Sequence, residues 1–159
     1  EAERLRAAIL ERAWNPSLQS FGSHFGGDQV DATLLLLAGL GFVRPDDPRY
    51  AGTVAAVERE LRRGPYLLRY AAPDDFGAPT TAFSVCTFWY VEALAALDRR
   101  EEARELFENM LARRNRLGLL SEDLDLATGE LWGNFPQTYS MVGLINAAMR
   151  LSKPWEAAF

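Results

Sequence analysis

Six stretches of this chain carry an apolar rhythm of three and four residues, and they alternate between two kinds, which leaves few architectures open. Residues 2–13, 48–63 and 99–115 set Leu, Ile, Val, Phe and Ala on one side and Arg and Glu on the other. That is the pattern of a helix with one face to solvent. Residues 29–40 (with Leu34 to Leu37 in a row), 80–97 (with Phe83, Val85, Phe88, Trp89, Val91 and Leu94) and 136–151 (with Val142, Leu144, Ile145 and Met149) are apolar on most faces. A helix apolar all round is expected inside, packed on every side. Outer and inner helices thus alternate, and the expected fold is all-α, three helical hairpins in a single domain over residues 1–159.

End signals support these segments. Asp47-Pro48 reads as a cap followed by proline in the first turn, Asp98 with Glu101 as a capping box, and Pro136 as a helix start. Gly41, Gly64 and Lys153-Pro154 read as stops. Each outer-to-inner link is long (14–28, 64–79 and 116–135), whereas the inner-to-outer links, 41–47 and 98, are short. In an up-and-down array alternate links emerge at the same end, so the three long loops are expected on one face, at the start of the inner helices. They contain Trp, Phe, Tyr, Asp, Glu, Asn and Gln instead of a low-complexity mixture, as functional loops do. No alternating strand pattern stands out beyond the short run from Tyr66 to Tyr70.

Composition removes several classes of function. Net charge is −5, and Arg alternates with Glu along the helices instead of forming a basic stripe, which argues against nucleic acid. The single cysteine, Cys86, cannot form an intrachain disulfide, and no Cys/His spacing suits zinc. The apolar runs are helix-sized and interrupted by charge or glycine, and the N-terminal residues resemble neither a signal peptide nor a membrane span. No membrane association is expected, and the cytoplasm is the expected location.

The chemistry concentrates on the third long loop, where Glu122, Asp123 and Asp125 precede Thr128-Gly129. A carboxylate there can act as general base on a bound water, although acidic loop residues are commonly solvated and Ser121 or Asp123 can equally nucleate a turn. The spacing lacks the early glycine and terminal glutamate of a calcium-binding EF-hand, so no metal is called. Ser121-Glu-Asp-Leu-Asp125 followed by Asn134-Phe-Pro-Gln-Thr-Tyr-Ser140 resembles the C-terminal signature of glycoside hydrolase family 15, which includes glucoamylases, glucodextranases and bacterial trehalases. Three upstream pieces resemble family segments in the same order: Ser23 through Asp31-Ala-Thr-Leu-Leu-Leu, Leu68-Arg-Tyr70 followed by Asp74 and Asp75, and Phe83-Ser-Val-Cys-Thr-Phe-Trp89. The resemblance covers nearly the whole chain and implies part of an (α/α)6 toroid of the six-hairpin glycosidase type.

It also implies an inverting hydrolase of α-glucosides, in which one carboxylic acid protonates the leaving oxygen and a second carboxylate, roughly 6.5–9.5 Å away, activates water. Glu122 matches the family's general base. The family's general acid follows a Trp-rich stretch with no counterpart here, so the chain resembles the C-terminal half of the catalytic domain, and a missing N-terminal half or a homo-oligomer is the implied partner. No cofactor is implied, since two carboxylates and water suffice.

Five further positions are candidates for the carbohydrate. Arg69 and Tyr70 match a family Arg-Tyr pair; the guanidinium can donate to sugar hydroxyls or form an ion pair with Asp74 or Asp75. Trp89 lies in an inner helix, where an aromatic is more often core than sugar platform, and Phe83 ranks no higher. Tyr139 matches a family aromatic near the base, placed to orient a carboxylate, touch substrate or pack in the core. Trp132, before Gly133, reads as a loop plug or a sugar-facing wall. His24, the one histidine, reads as a surface loop residue. One position departs from the family pattern, since Met141 stands where many bacterial relatives carry histidine. The competing reading, from the absence of an acid, is a non-catalytic helical domain that binds carbohydrate or associates with itself through uncovered apolar flanks.

Overall fold

The computed structural model describes residues 1–75 and 77–152. It is about 48% helical with 12% strand, so the fold is mainly helical but carries small sheets that the periodicity did not reveal. The helices are α1 (Ala2–Arg12), α2 (Pro48–Leu61), α3 (Ser84–Ala96), α4 (Arg100–Ala112) and α5 (Thr138–Ser152). Two short hairpins pair β1 (Trp14–Asn15) with β2 (Ser20–Phe21) and β3 (Arg62–Arg63) with β4 (Tyr66–Leu67). A three-stranded antiparallel sheet has the order β5 (Thr81–Phe83), β6 (Asp123–Asp125), β7 (Leu131–Trp132). Among the described residues no helix is long and apolar enough to cross a membrane.

Five of the six expected helices form. The exception is 29–40, where a single 3-10 stretch, Ala32–Leu37, replaces an α-helix. The Asp31 carboxylate caps it by accepting from the Thr33 amide at 2.8 Å, and the chain turns away at Gly41, whose φ is +69°. An apolar run does not distinguish a 3-10 helix from an α-helix, and this stretch, six residues in the tighter form, is long for its type. Asp47 caps α2 as expected, accepting from the Arg49 amide at 2.9 Å, with Pro48 in the first turn. Gly64, expected as a helix stop, instead has φ +60° in the turn between β3 and β4, because α2 has already ended where Arg62 turns extended. Asp98 forms no capping box: it sits at φ 62°, and the residue that flanks α4 is Arg99. Pro136 precedes the first residue of α5 by two positions, and the stop at Lys153-Pro154 lies outside the described residues.

The core is one cluster centred on α3, which packs against α4, α5 and the 3-10 stretch. Burial follows the sequence in α2, through Tyr50, Val54, Val57 and Leu61, and in α4, through Ala103, Leu106 and Met110. At about 25 cal/mol for each Å² removed from water, each large side chain here contributes about 1.5–3 kcal/mol. Arg99 and Arg62 then tie the outer helices together. Arg99 reaches Glu58 at 3.0 Å and Glu102 at 2.6 Å, Arg62 reaches Glu102 at 2.8 Å, and the Arg99 hydrogen bond holds the Glu58 carboxyl below its usual range.

Helix α5 departs from the expectation that an apolar helix is covered on every side. It buries Ser140, Gly143, Ala147 and Arg150 against α3, while Tyr139, Val142, Ile145 and Met149 are exposed, Ile145 by 54%. The rule that an all-apolar helix is buried assumes neighbours on both sides, and among the described residues α5 has them on one.

Candidate active site

The three long links converge as expected. The amide of Ala32, which opens the 3-10 stretch that follows the first, donates to the carbonyl of Arg69 in the second at 2.8 Å. The second and third are joined by the sheet: Phe83 pairs with Asp123, and the amide of Ser84, the first residue of α3, donates to the carbonyl of Glu122 at 2.8 Å. Glu122 in turn donates its amide to the carbonyl of Asn134 at 2.9 Å, so its main chain is held from both sides. The Ser140 hydroxyl, buried at the start of α5, donates to the carbonyl of Ser121 at 2.7 Å and ties that helix to the same loop.

Each loop carboxylate has a distinct environment. Asp125 shapes the turn between β6 and β7, accepting from the amides of Ala127 (3.0 Å) and Thr128 (2.8 Å) and from the Thr128 hydroxyl, and these bonds hold its carboxyl low. The turn former is therefore Asp125, not Ser121 or Asp123. Asp123 accepts from the Thr81 hydroxyl at 2.9 Å; burial pushes its carboxyl up, with the neighbouring charge of Glu122 adding to the effect. Glu122 accepts on Oε2 from the Asn134 amide at 3.2 Å and from Asn134 Nδ2 at 2.9 Å.

Glu122 stands where two hollows meet. One, of about 380 Å³, is lined by Arg69, Tyr70, Asp74, Thr81, Phe83, Glu122 and Asp123, among others. The other, of about 550 Å³, is lined by Arg69, Phe83, Val85, Trp89, Glu122, Gln137 and Tyr139. Arg69, Phe83 and Glu122 border both, which makes them two lobes of one depression. Polar groups for hydroxyl recognition and aromatic faces for packing thus surround one half-buried carboxylate, the composition of a small-molecule site.

Of the positions singled out in the sequence, Glu122, Arg69, Tyr70, Trp89 and Tyr139 are brought together, and Trp132 is not. Trp132 lies on edge strand β7 opposite Asp123, 54% exposed and outside the lining of both lobes, so it plugs nothing. Trp89 is half-buried and lines the larger lobe in addition to packing against the core, a dual role that its position in an inner helix did not suggest. Tyr139 is 66% exposed, which removes the core-packing reading. Arg69 makes its ion pair with Asp31, at 3.7 Å, instead of with Asp74 or Asp75; a half-exposed pair of this kind holds the guanidinium weakly. Tyr70 donates to Asp74 at 2.5 Å, a bond that raises its own hydroxyl pKa. His24 is exposed on its loop, and Met141 is half-buried against the core. Sequence reasoning gave no role to Asn134 or Gln137; the available signal was an amide on either side of Phe135-Pro136, within the loop that carries Glu122.

Known proteins resemble this chain over most of its length. The trehalase of Thermoplasma volcanium is 36% identical over 152 residues, which is 95% of this chain and 24% of that protein. The trehalase of Mycobacterium tuberculosis is 34% identical over 160 residues, 99% of this chain and 23% of that protein. The chain thus spans about a quarter of the length of the curated relatives it matches. Among solved structures, a wild-type glycosidase superposes with a TM-score of 0.81 over 95% of this chain and 43% of its own, at 23% identity, a likeness of fold. The family model described as glycosyl hydrolases family 15 matches residues 2–149, and the chain belongs to that family.

Proposed function

We propose that this chain is the C-terminal catalytic portion of an inverting α-glucoside hydrolase, glucoamylase- or trehalase-like, in which Glu122 is the general base and the general acid lies outside the chain. The observation that carries the reading is the position of the Glu122 carboxylate at the junction of two lobes, with its main chain bonded to Ser84 and Asn134. In the reaction, Glu122 takes a proton from water as the water oxygen attacks the anomeric carbon. The glycosidic bond breaks on the opposite face, and the leaving oxygen receives a proton from the acid. Arg69 and Tyr70 donate to sugar hydroxyls, and Phe83, Trp89 and Tyr139 offer aromatic surface to the ring. Trehalose and the ends of α-glucans are the candidate substrates. The described helices belong, on this reading, to an (α/α)6 toroid whose other hairpins come from the remainder of a longer protein, and residues 1–159 form a single unit within it.

Changing Glu122 to Gln in a full-length protein carrying this segment is expected to lower turnover of trehalose or maltose by about 10²–10⁴-fold. Near-normal turnover would remove the proposed base. One observation favours a second reading, in which the chain is a non-catalytic carbohydrate-binding or self-associating helical domain: the exposed stripe of Val142, Ile145 and Met149 on α5. Hydrolysis by a full-length protein carrying this segment, with the mass in solution of the purified chain measured alongside, separates the two. Turnover of the full-length protein that Glu122→Gln abolishes supports the first reading. A full-length Glu122→Gln variant that keeps its turnover, together with a purified chain that associates with itself, favours the second.

A further inference from the structure

We infer that Asn134 is the positioning residue for Glu122, a role that rests on the proposed general base and concerns how that carboxylate is aimed. Two donors of Asn134, its main-chain amide at 3.2 Å and its side-chain Nδ2 at 2.9 Å, converge on the same oxygen, Oε2, while its carbonyl accepts the Glu122 amide at 2.9 Å. The side-chain donor must be the NH2 group, because an ionised carboxylate only accepts. Among the described residues no other group bonds the Glu122 side chain, so Asn134 alone sets the rotation of the carboxylate.

The preceding residue makes the approach possible. Gly133 has φ +76°, and a Cβ there would stand 3.1 Å from Oε2 and 3.2 Å from the Cβ of Glu122. A side chain at 133 would therefore push the strand and the carboxylate apart, and only glycine takes this conformation without strain.

The chemistry gives the asymmetry a purpose. With Oε2 doubly bonded to Asn134, Oε1 remains as the acceptor for the proton of water. Once Oε1 carries that proton, Oε2 is carbonyl-like and still accepts both bonds, so the orienting contacts survive each turnover. A neutral amide suits this better than a carboxyl, because a second carboxylate at this distance would repel the first or share a proton with it.

The test uses a full-length protein carrying this segment, with trehalose hydrolysis as the probe and kcat and KM measured from acid to neutral pH. Asn134→Ala keeps the main-chain donor and loses Nδ2; kcat is expected to fall on the order of 10–100-fold, with KM within about twofold. Asn134→Asp matches the native side chain in shape and so preserves the fold. It is expected to move the limbs of the pH–rate profile, because the pair then titrates together. A residue that merely fills space would lower the profile without moving it. Glu122→Gln is measured alongside. If Glu122→Gln is inactive while both Asn134 variants keep the parent's kcat and pH profile, the positioning role is overturned and the base stands. If Glu122→Gln remains active, the base assignment itself fails.

Discussion

Gly143 offers a direct test of how closely α3 and α5 are packed. A Cβ added there would lie 3.0 Å from both Cβ and Cδ2 of Phe88 and 3.3 Å from its Cγ. Carbon atoms in comfortable contact stand about 3.5–4.0 Å apart, so the substituted helices must separate by roughly half an ångström or more. Phe88 cannot yield. It is fully buried, its ring meets Phe107 edge-on at 6.3 Å, and the atoms struck include the Cβ nearest its main chain instead of a flexible tip. Two effects oppose each other in Gly143→Ala. Alanine is favoured over glycine in a helix interior by about 1 kcal/mol, whereas overpacking a filled core costs about 1–3 kcal/mol. With an immobile partner the second wins, and a net loss of about 1 kcal/mol is expected. Urea unfolding should show a lower midpoint with an unchanged slope, and the thermal midpoint should fall by about 2–4 °C. A Gly143→Ala variant as stable as the parent, or more stable, would refute the reasoning, since it would mean that the helices separate without cost.

Burial pushes the Glu92 carboxyl up to about 7 despite the attraction of Arg150, so the folded chain holds this proton more tightly than the unfolded chain, where the group titrates near 4.5. Stability contributed here is complete below the unfolded value and declines as pH rises towards 7, by an upper bound of about 3 kcal/mol. Glu92→Gln should flatten that decline in urea titrations at a series of pH values, and identical slopes for parent and variant would contradict it. Ser140→Ala removes the buried 2.7 Å bond to the Ser121 carbonyl and should cost about 1–3 kcal/mol in the same assay; an unchanged midpoint would mean that the carbonyl finds another donor.

Much of the helical skeleton was legible in the sequence because its cause is local. The Asp47-Pro48 cap and the faces of α2 and α4 follow from neighbouring residues, and the structure follows them. The sheet was not legible. Its strands are two or three residues long, and β5 lies inside a segment whose apolar rhythm reads as helix; it becomes a strand because Asp123–Asp125, distant in sequence, pairs with it. Asp98 fails as a cap for a similar reason, since the tight link between α3 and α4 sets its backbone at φ 62°. At the candidate site, family likeness pointed to Glu122, Arg69, Tyr70 and Tyr139, which the structure gathers around one depression, whereas the aim of the carboxylate was not legible. That depends on two bonds from a residue twelve positions away, across a turn.

The main-chain suspension of Glu122 between Ser84 and Asn134 has a bearing on how this loop can change over generations. Any residue but proline can supply the amide at 84, and any residue at all the carbonyl at 134, so the main-chain part of the scaffold makes few demands on side-chain identity, and the demands that remain fall on Gly133 and on the amide of Asn134. The lining of the two lobes is then free to drift, trading Tyr139 or Gln137 for other side chains and one sugar for another, without shifting the group proposed to act on water.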